Sequence, residues 1–200
     1  MTHESDPASR FPDACRVWLV LVSVCLASLL LVGPAHAQDG RIEYRSLVSY
    51  VIDGNVLLES DVSVRLSGLS RAALQSGVAL EFDVEIDVIR QRNFWPDKTL
   101  RRYQIPVRLS YQDLTRSYRL ERLNSGQRAS FSDLDSALDA VAQLRDVVLI
   151  SEDQLSGRGR YYGVMRVQLD LDALPGPLRT QAYFSRAWQL DNGEQTWPLR

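Results

Sequence analysis

Glu81, Asp83, Glu85 and Asp87 occupy every second position of one run, LEFDVEIDV, and of all the residues here they are the best spaced for chemistry. Side chains two residues apart on a strand share a face and lie roughly 7 Å from one another, a separation that paired carboxylates use in glycoside hydrolysis. Such a pair needs one carboxyl held protonated while its neighbour stays ionised. Arg102 and Arg108, in the segment expected to pair with this run, would instead keep every neighbouring acid charged. The favoured reading is a solvated face laced with ion pairs, each worth about 0–1 kcal/mol. A carboxylate-dependent hydrolase acting on envelope glycans is the alternative. The other acidic groups, Asp170 with Asp172, Glu152-Asp153 and Asp191-Asn192-Gly193-Glu194, lack the regular ligand spacing of a calcium loop. No glycine-rich loop opens a helix to cradle phosphate. Gly157-Arg158-Gly159-Arg160 could hold an anion, although a hairpin turn explains it better. No cofactor or metal is expected.

The distribution of histidine and cysteine narrows the chemistry further. His3, His36, Cys15 and Cys25 all fall within residues 1–37, and that segment reads as a secretory leader. Arg10 and Arg16 provide a positive start, Val17 to Val32 is an apolar run, and Ala35-His36-Ala37 fits a small-x-small cleavage site. The apolar run is shorter than the ~20 residues that span a bilayer, so cleavage is favoured over an uncleaved anchor. The mature chain, 38–200, then has neither imidazole nor thiol, which removes zinc sites built on them, Ser-His-Asp and Cys-His nucleophiles, and disulfides. Lys98 is the one lysine, and it stands beside Pro96 in an expected turn, where solvation is the default. With Arg10, Arg16, Glu4, Asp6 and Asp13 gone with the leader, 21 basic and 22 acidic residues remain, a net charge of −1. That balance gives no basic field for nucleic acid. The chain is expected to be non-enzymatic and exported or periplasmic, membrane-associated if the leader is retained.

The elements that must position these residues follow from period and turns. RIEYRSLVSYV and NVLLESDVSVRL flank Asp53-Gly54-Asn55 as a hairpin, and Ser67 to Ser76 has the spacing of a short helix closed by Gly77. Phe82, Val84, Ile86 and Val88 alternate with the acids, and Tyr103, Ile105, Val107, Leu109 and Tyr111 alternate in the returning strand. A tight loop at Pro96-Asp97 would set Val84 opposite Leu109, Ile86 opposite Val107 and Glu85 opposite Arg108. A third strand, LTRSYRLERL, completes a meander. A longer helix begins at Ser132 or Asp133, with a stripe of Leu134, Ala137, Leu138, Val141 and Leu144. Strands VVLISEDQL and YYGVMRVQLDL follow, Pro175-Gly176-Pro177 breaks the chain, and QAYFSRAWQL reads as a last strand before the Trp197 tail. The fold class is α+β, mainly antiparallel, a twisted sheet or β-sandwich with one short and one longer helix packed alongside, in a single mature domain.

Several of these stretches carry a resemblance. Leu109-Ser110-Tyr111-Gln112-Asp113-Leu114-Thr115-Arg116-Ser117-Tyr118, Leu134-Asp135-Ser136-Ala137-Leu138, the strand from Arg166 to Asp172 running into Leu174-Pro175-Gly176-Pro177-Leu178, and Trp188 resemble the proteobacterial exported family known as domain of unknown function 4390. The resemblance runs from about Val48 to Trp197. It implies a small cell-envelope protein with a genetic neighbourhood near a membrane sensor kinase, and no established reaction. Read from the residues alone, Tyr111 and Tyr118 are packing tyrosines at a strand reversal and the Pro-Gly-Pro segment is a rigid connector.

Phe94 and Trp95 stand apart because they break the alternation after Ile89-Arg90. Two large rings beside Pro96, Lys98, Arg101 and Arg102 suit a partner protein or a membrane surface, with a lid folded back on the domain as the competing reading. Phe94, Trp95, Arg101 and Arg102 are therefore the candidate binding residues. Their expected partner is an envelope or inner-membrane protein, and the expected role is a protein-binding or signalling-accessory module.

Overall fold

The computed structural model describes residues 40–155, 159–191 and 193–199. The leader expected over residues 1–37 lies outside the described residues, as do Gly157, Arg158 and Asn192 of the two turns noted above.

Strands β1 (Arg41–Ile52) and β2 (Asn55–Arg65) form the expected hairpin. Asp53 and Gly54 between them both take positive φ, 49° and 73°, as a two-residue turn matched to strand twist requires. Helix α1 (Gly68–Gln75) begins where Ser67 Oγ accepts the Ser70 amide at 3.1 Å, and the left-handed Gly77 lies just beyond its end. Strands β3 (Leu80–Arg90), β4 (Lys98–Gln112) and β5 (Ser117–Arg122) make the meander, extended by β6 (Gln127–Phe131). Helix α2 (Leu134–Asp139), β7 (Leu144–Ser151), a 3-10 turn (Glu152–Leu155), β8 (Tyr161–Leu169), α3 (Gly176–Tyr183) and β9 (Gln195–Pro198) complete the order.

The strands form two antiparallel sheets, β1-β2-β7 and β6-β5-β4-β3-β8-β9, so the expected mainly antiparallel α+β class holds. Both sheets feed one hydrophobic cluster. β3 lies between β4 and β8, and its Phe82, Val84, Ile86 and Val88 are completely buried. The facing sheet contributes Ile42, Val56, Leu58, Val62 and Val64, and α2 adds Ala137 and Leu138.

Two tyrosines bolt the sheets together through backbone groups that strand pairing leaves free. Strand β9 pairs with β8 only from Tyr162 to Met165, and the Val167 amide donates instead to the Tyr44 hydroxyl from β1 at 3.1 Å. Burial pushes the Tyr44 hydroxyl up from the ordinary phenol value, so it stays a neutral donor and acceptor. On the other side the β2–β7 register shifts between Val56 and Leu57, and the Leu149 carbonyl accepts from the Tyr103 hydroxyl of β4 at 2.5 Å. Each hydroxyl does the work of a missing strand partner.

Three expectations are corrected. The β3–β4 register is offset by four residues: Val84 faces Ile105, Ile86 faces Tyr103, and Glu85 faces Gln104, while Arg108 pairs with Glu81. The connecting loop is therefore Gln91–Asp97 rather than Pro96-Asp97 alone. An even slip keeps every apolar side chain on its face, so alternation cannot tell the two registers apart. The observed one gives both arginines an acid, with Arg102 on Asp87 at 2.7 Å and Arg108 on Glu81 at 2.7 Å. Second, the segment read as a final strand is helical. Pro177 sits in the first turn of α3, where its fixed φ presets the helix and its missing N–H costs nothing. A 3-10 turn (Arg186–Trp188) follows, and the last strand is the Trp197 tail itself. Third, α2 stops at Asp139. Leu144, expected on its stripe, instead opens β7, where its amide donates to Ser60 Oγ at 3.2 Å.

Gly163 shows how tightly β9 is seated. A Cβ there would lie 2.2 Å from Cζ2 of Trp197, whose ring is 4% exposed. Gly163→Ala should cost about 2 kcal/mol, within the usual range for overpacking. The readout is a lower urea midpoint together with a red-shifted tryptophan emission as the ring leaves its slot. A variant with unchanged midpoint and emission would contradict this packing.

Candidate functional site

Loop Gln91–Asp97 projects from the end of β3–β4, and two sets of hydrogen bonds tie it to β8. The Gln91 amide donates to the Arg160 carbonyl at 2.8 Å, which carries the β3–β8 ladder one step past the strands. Asp97 then closes the loop from within. Its Oδ1 accepts the Arg92 amide at 3.0 Å and its Oδ2 accepts the Tyr162 hydroxyl at 2.7 Å. These bonds hold the Asp97 carboxyl below the usual range, the Tyr162 bond contributing most, and the same contact raises the Tyr162 hydroxyl. The acid is thus ionised and committed to the loop.

The loop frame leaves Phe94 and Trp95 in solvent, 94% and 75% exposed. The lid reading therefore fails. Both rings line an open cavity of about 870 Å³ together with Arg90, Arg92, Gly159 and Arg160. Arg90 is steadied by its guanidinium lying 5.9 Å from the Tyr161 ring centroid, a cation–π contact. A Cβ at Gly159 would lie 3.1 Å from Arg90 Nε, so glycine gives that guanidinium its room. A second open cavity of about 490 Å³ shares Gln91 and Arg160 and is walled by Tyr161, Tyr162 and Pro198. Among the described residues, no carboxylate forms an ion pair with Arg90, Arg92, Lys98 or Arg160.

Of the four candidate residues, the cavity brings together Phe94 and Trp95 but neither arginine. Arg102 is held on Asp87 by two hydrogen bonds of 2.8 and 2.7 Å. Arg101, on the opposite face of the same strand, reaches Gln154 Oε1 at 3.4 Å. The cations beside the rings are Arg90, Arg92 and Arg160. Two of these lie within four residues of Phe94 in sequence. The third belongs to the Gly-Arg-Gly-Arg turn read as a potential anion holder, and only the placement of β8 against β3 brings it to the rings.

The carboxylate row has a different character. Glu81 and Asp87 are tied to Arg108 and Arg102, and Glu85 Oε1 accepts from Gln104 Nε2 at 3.1 Å. Asp83 faces Pro106 on one side and Gln168 on the other, and burial, with Asp170, Glu85 and Glu81 nearby, raises its pKa. Among the described residues, no three His, Cys, Asp or Glu side chains are grouped to hold a metal ion.

A mainly antiparallel, two-sheet α+β domain with a cationic and aromatic loop at one end is the class these features define. Residues 39–198 match the family model described as Domain of unknown function (DUF4390), and the chain belongs to that family. No curated protein and no solved structure matches it.

Two outcomes follow from the titrating groups. Asp97→Ala should release the loop, speeding hydrogen exchange at the Arg92 amide severalfold while leaving core amides slow; equal exchange in both proteins would show that Asp97 does not anchor it. Asp83 has a folded pKa above its unfolded value, so wild type loses stability as pH rises from the ordinary carboxylate range through that raised value. Asp83→Asn should remove that loss and be no less stable at neutral pH. A drop in its urea midpoint at neutral pH would count against an unpaired, partly buried acid.

Proposed function

We propose that the protein is an exported, non-enzymatic binding module of the cell envelope, acting through the loop Gln91–Asp97. The observation that carries this reading is the exposure of two adjacent aromatic rings on a loop held in place by Asp97 and Tyr162. Rings of this size are expensive to leave in water, and a loop pinned at both ends presents them with little further ordering on contact. Arg90, Arg92 and Arg160 give the contact its sign. The family match names no reaction, and the genetic neighbourhood near a membrane sensor kinase that the resemblance implies favours a signalling-accessory role. Among the described residues no helix is long and apolar enough to cross a membrane.

A second reading, a carboxylate-dependent hydrolase, is favoured by Asp83 alone, whose raised pKa next to Glu85 resembles an acid–base pair. It loses ground because Glu81 and Asp87 are engaged by arginine and Glu85 by Gln104. Asp83→Asn and Glu85→Gln would each abolish a cellular function that depended on it.

A photo-crosslinking amino acid at position 95, in cells expressing the full chain, should give one dominant adduct. Trp95→Ala should cause loss of the associated phenotype at normal protein level. Absence of any adduct, with Trp95→Ala indistinguishable from wild type, would remove the loop from the account.

A further inference from the structure

We infer that the loop docks on an anionic phospholipid surface, with Phe94 and Trp95 entering the interfacial layer while Arg90, Arg92 and Arg160, which line the same cavity, take phosphodiester headgroups. This deepens the reading of the loop as the contact site and rests on it. Four observations point to lipid. The rings are adjacent, at 94% and 75% exposure, on a seven-residue loop; tryptophan, with one apolar and one polar edge, favours the membrane–water boundary, and Phe94 adds apolar area beside it. Arg90, Arg92 and Arg160 line the same open cavity as the rings, so cations and apolar area are presented together, as an interfacial contact with charged headgroups requires. Guanidinium groups match phosphate oxygens by paired N–H donors, and these three have no carboxylate partner among the described residues. The one acid of the loop, Asp97, is exposed, but both of its carboxylate oxygens are already engaged, by the Arg92 amide and the Tyr162 hydroxyl.

Size argues in the same direction. A stable protein interface usually draws on roughly 20–30 residues a side, whereas eight of the described residues line the cavity bearing the rings. A lipid surface needs no complementary shape. It asks only for inserted apolar area and a positive rim, and both are present.

The test uses the protein recovered from the envelope fraction, incubated with vesicles of phosphatidylcholine alone or of equal parts phosphatidylcholine and phosphatidylglycerol. Wild type should sediment with the anionic vesicles only. Lipids brominated on the acyl chain should quench the part of the emission that Trp95→Phe removes, since Trp188 and Trp197 are buried. Arg92→Ala with Arg160→Ala, and separately Phe94→Ala with Trp95→Ala, should each weaken binding on the order of tenfold. Phe184→Ala, 89% exposed and beyond the opposite end of β8, should bind as wild type. These variants alter exposed side chains, and an unchanged urea midpoint will show that they fold. Equal binding to both vesicle types, or tip variants that bind as wild type, would overturn the inference. If the anionic vesicles fail while a position-95 crosslink yields a protein adduct, the lipid assignment falls and the loop remains the contact site. If both fail, the loop reading falls with it.

Discussion

Strand β3 can lie in the sheet only one way up, and the rest of the domain is arranged around that constraint. Phe82, Val84, Ile86 and Val88 are wholly buried on one face, while Glu81, Asp83, Glu85 and Asp87 occupy the other. Burying four such apolar side chains is worth about 1.5–3 kcal/mol each. A one-residue slip would exchange them for four carboxylates, each of which would need a partner or a proton inside the core. Strands β4 and β8 pair on either side of β3 and inherit its facing, so Val107 and Leu109 on one side and Met165 and Val167 on the other turn inward with it.

The same constraint places the loop. Because β3 is flanked by β4 and β8, the chain leaving its end has a hairpin partner on one side and the start of β8 on the other. The loop is therefore braced from both. Gln91 continues the ladder to Arg160, and Asp97 reaches Tyr162 on β8. A hairpin tip with a single neighbour would have only its own turn to define it. Here the fixed frame lets Phe94 and Trp95 stay in solvent without the loop collapsing onto the core, and it brings Gly159 and Arg160 into the same cavity.

Much of this was legible in the residues. The first hairpin, the Ser67-capped helix, the alternation in β3 and β8 and the antiparallel class all follow from local patterns that report burial directly. What failed did so for identifiable reasons. The β3–β4 register was misplaced by four because an even offset leaves the alternation intact, and the ion pairs that choose between offsets are weak signals, each worth about 0–1 kcal/mol. QAYFSRAWQL reads as a strand, but Pro177 at the helix start and the burial of Trp188 at 2% against the core decide otherwise. Of the loop site, Phe94 and Trp95 were visible as a break in period. Arg160 was not, because its proximity depends on β8 lying beside β3, a pairing between segments about 75 residues apart that no local pattern encodes.

The division of charge across the molecule has a physical logic. On the outer face of the large sheet, acids and arginines are interleaved by register, so Glu81, Asp87 and Glu121 each meet a guanidinium across the strands. Each such pair is nearly neutral at a distance beyond the ~10 Å Debye length. At the loop the pattern stops with the strands. Arg90 is the last residue of β3, and beyond it no opposing strand supplies an acid in register. The cations there keep their fields, and Arg90 finds a ring instead of a carboxylate. A chain with almost no net charge thus has one end where arginines stand without an acid in register, simply because ladder pairing ends where the loop begins.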